Sequence, residues 1–290
     1  MIDVRDLRKE YGEFAAIEGS TFDVESGEVF GIIGPNGAGK TTTLKTLAGL
    51  IEPTSGEVTV AGYTPGETEM RERLGFLPEE SPLYEEMTAN TYLHFFADLY
   101  DVPSETASER IDSTLDRLDL EHRDRALGDV SKGMKRKVAI ARSLVNDPDV
   151  LVYDEPASGL DPLTTNYVVE FTRELADEGK TVVFSAHNLY HVESICDRVA
   201  IMNEGSIVAQ GSPETLREEY GRTEYRIFAT VSIDGSEETD RGHRIVVDSM
   251  AAVEDVREQV AAAGGEVRDM RTDEASLERV FIDIAERGPA

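Results

Sequence analysis

Up to Gly211 the chain alternates short apolar runs with stretches of helical period. Residues 28 to 33, 149 to 153, 181 to 185 and 198 to 202 are brief, β-branched or continuously apolar, the pattern of strands buried on both faces. Interleaved with helices, they predict an α/β fold built on a mainly parallel sheet. Between about Ser81 and Asn146 the strand signal stops. There Thr88 to Tyr100 carries Tyr92, Leu93, Phe96 and Leu99 on one side, and Ser104 to Leu120 carries Ile111, Leu115 and Leu118 at helical spacing. A helical subdomain over about 81–146 is expected, its many charges forming a solvated face. Composition breaks at Gly211-Ser212-Pro213, where Pro213 suits the first turn of another helix. Beyond it, Arg226 to Ile233 and Arg244 to Val247 read as strands, Val253 to Ala262 and Leu277 to Ile284 as helices, and Asp234 to Gly242 as a polar loop. The expected domains are therefore 1–211 and a small α/β accessory domain, 212–290.

One segment carries specific chemistry. Gly34-Pro35-Asn36-Gly37-Ala38-Gly39-Lys40-Thr41 is a complete phosphate-binding loop, placed between an expected strand and an expected helix. Its glycines let backbone N–H groups turn inward around phosphates, toward which the new helix points its positive end. Lys40 supplies a cation for the β and γ oxygens, and the Thr41 hydroxyl suits Mg²⁺. This predicts binding of a nucleoside triphosphate. Downstream, Val150-Leu151-Val152-Tyr153 leads into Asp154-Glu155, a strand ending in two carboxylates. Such a pair places one acid, Asp154, at Mg²⁺ and the next, Glu155, at an attacking water.

Further motifs choose among the families that share such a loop. Val130-Ser131-Lys132-Gly133-Met134 opens a helix and resembles the L-S-G-G-Q signature of ATP-binding-cassette (ABC) ATPases. Ser158-Gly159-Leu160-Asp161 resembles that family's D-loop, and His187 follows a strand as its switch histidine does. Tyr11 lies where the family places an aromatic that stacks on adenine. With the two phosphate-site motifs these six features span residues 1 to about 211 in the family's order. The chain thus resembles a P-loop NTPase of ABC ATPase type.

That resemblance implies an ATP hydrolase with ATP and Mg²⁺ as ligands. Residues Tyr11, Gly34 to Thr41, and Thr42 would hold nucleotide, Thr41 and Asp154 the metal, and Glu155, His187 and Glu79 would act in catalysis. Ser131, Gly133 and Asp161 would meet ATP bound by an opposite subunit, in a head-to-tail homodimer or with a paired ATPase subunit. Two departures stand out: Glu79 where the family usually has Gln beside the γ-phosphate, and Lys132 and Met134 where it has Gly and Gln. Both resemble ATP-binding subunits of exporters for sodium, drugs or polysaccharides, as does the ending Leu277-Glu278-Arg279-Val280-Phe281. The implied partner is a separate membrane permease, met near Glu80 to Thr88, with the chain cytoplasmic and peripheral on the inner face of the membrane. Alternatives are a soluble ABC ATPase without a permease and a low-turnover ATP sensor. Opposite charges on Glu79 and Lys132 suggest attraction across the closed dimer.

Composition narrows this picture. The 58 Asp and Glu against 29 Lys and Arg give a formal charge of −29, a poor match to nucleic acid. No stretch approaches the roughly 18 to 20 apolar residues of a membrane span, and Met1 to Glu10 mixes acids and bases, so no signal peptide is expected there. Cys196 is the only cysteine, which excludes an intrachain disulfide and suits a small buried apolar residue. Only seven of the bases are lysines, and this acidic, lysine-poor composition resembles that of proteins from salt-loving archaea. Stability and dimerisation are expected to rise from low salt to molar KCl as carboxylate repulsion is screened. Thermal melts across that range check this, and a flat or falling melting temperature would point to an ordinary acidic protein.

Overall fold

The computed structural model describes residues 1–186, 188–221, 223–273 and 276–287, which divide into two compact units, Met1–Pro213 and Glu214–Arg287. The first unit opens with β1 (Ile2–Tyr11), β2 (Phe14–Val24), β3 (Val29–Ile33), α1 (Lys40–Leu47), β4 (Ser55–Val60), α2 (Thr68–Glu72) and β5 (Leu74–Leu77). Helices α3 (Ala89–Leu99), α4 (Ser104–Arg117) and α5 (Lys132–Leu144) follow, then β6 (Val150–Tyr153), α6 (Pro162–Asp177), β7 (Thr181–Ala186), α7 (Leu189–Ile195), β8 (Arg198–Asn203) and β9 (Ser206–Gly211).

Strands β3, β6 and β7 are buried at every residue, as a parallel sheet covered on both faces requires. They belong to a six-stranded sheet of order β5-β6-β7-β3-β8-β9, parallel except for β9. A second, antiparallel sheet of order β2-β1-β4 lies outside the expected parallel scheme. Its inward residues Ile2, Val4, Leu7, Ile17, Phe22 and Val24 join the core under β3 and α1, with Phe22 stacked on Phe30 at 5.5 Å. The register of β1 shifts between Val4 and Leu7, beside Asp6 at φ +48°, and this bulge breaks the period-two signal. Cys196 is buried, and its sulfur lies where a Cβ on Gly31 of β3 would come within 2.9 Å, so its role is packing. Burial pushes its thiol pKa well above the ordinary value.

Between β5 and β6 the described residues contain helices and one isolated bridge, Thr88 to Ala126. A reciprocal cap starts α3: the Thr88 hydroxyl accepts from Thr91 N at 3.2 Å, and the Thr91 hydroxyl accepts from Thr88 N at 2.9 Å. Ser131 caps α5 and Asp161 caps α6, with Pro162 at the first helical position.

The second unit holds α8 (Pro213–Tyr220, from Glu214 on), β10 (Glu224–Ala229), β11 (Glu237–Thr239), β12 (Gly242–Val247), α9 (Met250–Ala262), β13 (Val267–Asp273) and α10 (Leu277–Arg287). Its sheet is antiparallel, of order β11-β12-β10-β13, and α9 packs Val253, Val256 and Val260 against Ile227, Ala229 and Ile245. Strand β10 ends at Ala229 rather than Ile233, and β11 occupies part of the expected loop. Strand β13 escapes sequence reading because it is an edge strand with five consecutive exposed residues.

Candidate functional site

The phosphate loop leaves β3 at Ile33 and enters α1 at Lys40. Gly39 precedes the helix at φ +104°, and a Cβ on it would lie 2.5 Å from the carbonyl oxygen of Ala16; one on Gly34 would lie 2.4 Å from that of Met202. Both must be glycine for the loop to close this tightly. Lys40 is nearly buried and donates to the carbonyls of Gly34 at 2.8 Å and Pro35 at 3.2 Å. A cavity of about 530 Å³ opens over the loop from Asn36 to Thr42 and is walled by Phe14, Ala16, Glu79, Glu155 and Ser158.

The carboxylates sit at the end of β6, beside that loop. Asp154 is 1% exposed, and its Oδ1 accepts from Ser185 Oγ at 2.7 Å and Thr41 Oγ1 at 3.2 Å. Thr41 and Asp154 thus present oxygen donors side by side, which fits Mg²⁺ completed by phosphates and water. No group of three potential metal-binding side chains occurs among the described residues. Glu155 has φ +47°, a left-handed conformation that costs a non-glycine residue on the order of 1 kcal/mol. Two bonds impose it: Glu155 N donates to Ser185 Oγ at 2.9 Å, and its carbonyl accepts from Arg136 at 2.8 Å.

Arg136 is the residue that motif reading misses. Only 7% exposed, it projects from α5 and donates to the carbonyls of Pro78 and Glu79 at 2.8 and 3.0 Å. It also donates to those of Asp154, Glu155 and Pro156 at 3.2, 2.8 and 2.6 Å. Burial pulls its pKa down to about 10, so it stays charged at neutral pH. One guanidinium therefore joins α5, the Glu79 turn and the carboxylate-bearing end of β6. Its sequence signal is phase: Arg136 shares a helical stripe with Ala139, Ile140, Ser143 and Leu144, all buried. Ser185, a polar residue closing the buried strand β7, was the other available clue.

The remaining expected residues fall in three places. Tyr11 pairs with Phe14 across the first hairpin, is 49% exposed and lies under the Lys9 ammonium at 5.1 Å; Phe14, not Tyr11, lines the cavity. Ser131, Gly133 and Asp161 are not among the residues lining that cavity. The Ser131 hydroxyl accepts from Met134 N at 3.2 Å, and Asp161 accepts from Thr164 N at 3.1 Å and Thr164 Oγ1 at 2.7 Å. Those bonds hold the Asp161 carboxyl below its ordinary pKa. His187 lies outside the described residues.

A family model described as ABC transporter matches residues 17–158. The Nod factor export ATP-binding protein I of Burkholderia orbicola is 39% identical over 75% of this chain and 72% of its own length. The linearmycin resistance ATP-binding protein LnrL of Bacillus subtilis is 29% identical over 99% of both chains. Among solved structures, a dimeric ATP-binding cassette in a post-hydrolysis state, bound to ADP and Pi, superposes with a TM-score of 0.67. That pair shares 25% identity, over 73% of this chain and 98% of the other.

Proposed function

The chain belongs to the ATP-binding subunits of the ABC transporter family, and on that premise we propose that it hydrolyses ATP to drive an exporter through a separate permease. The observation that carries this is the convergence of Lys40, Thr41, Glu79 and Glu155 on one cavity, with Asp154 bonded to Thr41. Lys40 and the loop amides would take the β and γ phosphates, and Phe14 with Tyr11 would bound the base. Thr41 and Asp154 would hold Mg²⁺, which supplies charge neutralisation on the transferred phosphoryl group. Glu155 would orient water and accept its proton, its carboxylate aimed by the constrained backbone. Ser131, Gly133 and Asp161 stand away from the cavity of their own chain, which favours a head-to-tail dimer in which they meet a partner's nucleotide.

Exporter coupling is favoured by an apolar surface next to the Glu79 turn. Tyr84 is 56% exposed and packs edge-on against Phe95, and a further cleft of about 350 Å³ runs between Leu50 and Phe76 on one side and Phe96 and Tyr100 on the other. Among the described residues no helix is long and apolar enough to cross a membrane, so such a surface is where a permease would dock. The expected salt-loving source and inner-face location belong to the same proposal. Lys40→Ala tests the nucleotide site: ATP affinity is expected to fall at least about tenfold, since the phosphates lose their charge-assisted donor. Unchanged affinity by calorimetry contradicts the site. Copurification from native membranes tests the permease, and recovery of the chain from the soluble fraction alone contradicts it.

A further inference from the structure

The first turn of α5 touches the segment after β6 at two points, one in the loop and one in the first turn of α6. Gly159 has φ +66°, and a Cβ there would lie 2.2 Å from Lys132 Nζ and 3.5 Å from its Cε. The Lys132 ammonium therefore lies directly over the Gly159 backbone. One residue on, a Cβ on Gly133 would come within 3.2 Å of Thr164 Cγ2 and 3.3 Å of Thr164 Oγ1. Thr164 is in turn held by both carboxylate oxygens of Asp161. The loop's own turn bonds are Ser158 N to Glu155 O at 3.1 Å and Leu160 N to Ala157 O at 3.4 Å. Those bonds start at the catalytic carboxylate residue, so a tether on Gly159 acts one short turn from Glu155.

Lysine is suited to this task where glycine is not. Its four-carbon stem spans the gap from α5, and its ammonium packs in the space left open by a residue without a side chain. Glu79, Ser158 and Leu160 line with Lys132 a cavity of about 420 Å³, so Glu79 and Lys132 already share a space within one chain. The two charges thus face one cavity of a single chain, without a direct ion pair between them. We propose that Lys132 is a positioning residue that pins the Gly159 loop to the signature turn of its own chain, so that Ser131 and Asp161 move as one body. The consequence for catalysis rests on the ATPase reading: nucleotide drawn to Ser131 would pull the loop that follows Glu155.

Amide hydrogen exchange on the nucleotide-free chain tests the tether itself. In Lys132→Ala, the amides of Ser158 and Leu160 are expected to exchange at least about threefold faster, with those of α3 unchanged and Lys132→Arg close to wild type. Identical exchange in wild type and Lys132→Ala overturns the tether, as does faster exchange that Arg fails to rescue. Steady-state hydrolysis tests the positioning role: kcat should fall about three- to tenfold in Lys132→Ala with KM held. A rise in KM at constant kcat would make Lys132 a nucleotide contact instead, and unchanged kcat and KM would leave it no role in positioning. ATP binding by the wild-type chain, measured alongside, reports separately on the ATPase reading.

Discussion

Glu155→Gln is expected to keep ATP bound while slowing its hydrolysis by roughly a hundred- to ten-thousandfold, the scale of a lost general base. The change is isosteric and leaves the main-chain bonds of this residue in place. Ser185 and Arg136 hold Glu155 through its N–H and C=O, and both remain when the carboxylate becomes an amide. Lys40, Thr41 and Asp154 keep their places, so affinity should survive. Slow turnover with intact binding should accumulate the ATP-bound dimer, visible as a larger species on size exclusion. Single-turnover hydrolysis at the wild-type rate would remove Glu155 from the chemistry.

Arg136→Ala is expected to cost about 3 kcal/mol or more in urea denaturation, since a buried acceptor left without a donor costs on the order of 1–3 kcal/mol. Five carbonyls lose this donor together; that of Glu155 keeps Ser158 N and that of Pro78 keeps Ser81 Oγ, while those of Glu79, Asp154 and Pro156 lose the guanidinium bond. Water entering the space would offset part of that loss. Arg136→Lys separates stability from function: it keeps the charge, but a single nitrogen cannot reach both the Glu79 turn and the Glu155 turn with the fork geometry of a guanidinium. Its stability should recover in part while kcat stays low. A loss below about 1 kcal/mol in the Ala variant would mean that the three segments hold themselves together.

The parts of the site legible in sequence are those whose chemistry is local. Gly34, Gly39, Lys40 and Thr41 work within one turn of chain, so spacing alone expresses what phosphate requires. Asp154 and Glu155 read out because a fully buried strand delivers them. Arg136 does not, because its partners at Pro78 and Pro156 lie 58 and 20 residues away and offer only main-chain oxygens, which carry no residue code. Ser185 was hidden by distance alone, since its partners Asp154 Oδ1 and Glu155 N lie 31 and 30 residues away. Among the secondary elements, α3 and α4 showed their period, whereas β1 lost its alternation at the Asp6 bulge and β13 has hardly any apolar face to show. Phe14 was overlooked because hairpin register, not composition, decides which of two neighbouring aromatics faces the cavity.

The choice of carbonyls as partners for Arg136 has a consequence for behaviour at high salt. Ion pairs between solvent-facing side chains fade as mobile ions crowd around them, and this chain, with a formal charge of −29, is exposed to that effect over most of its surface. The hydrogen bonds of this buried guanidinium all run to neutral carbonyls, and the Asp154 and Glu79 carboxylates that attract it do so across an interior that dissolved ions do not enter. Potassium or chloride can thus alter how readily two chains meet without loosening the wiring between their switch segments. Ionic strength should therefore act on encounters between chains, while the Arg136 joint inside each chain keeps its own fixed setting.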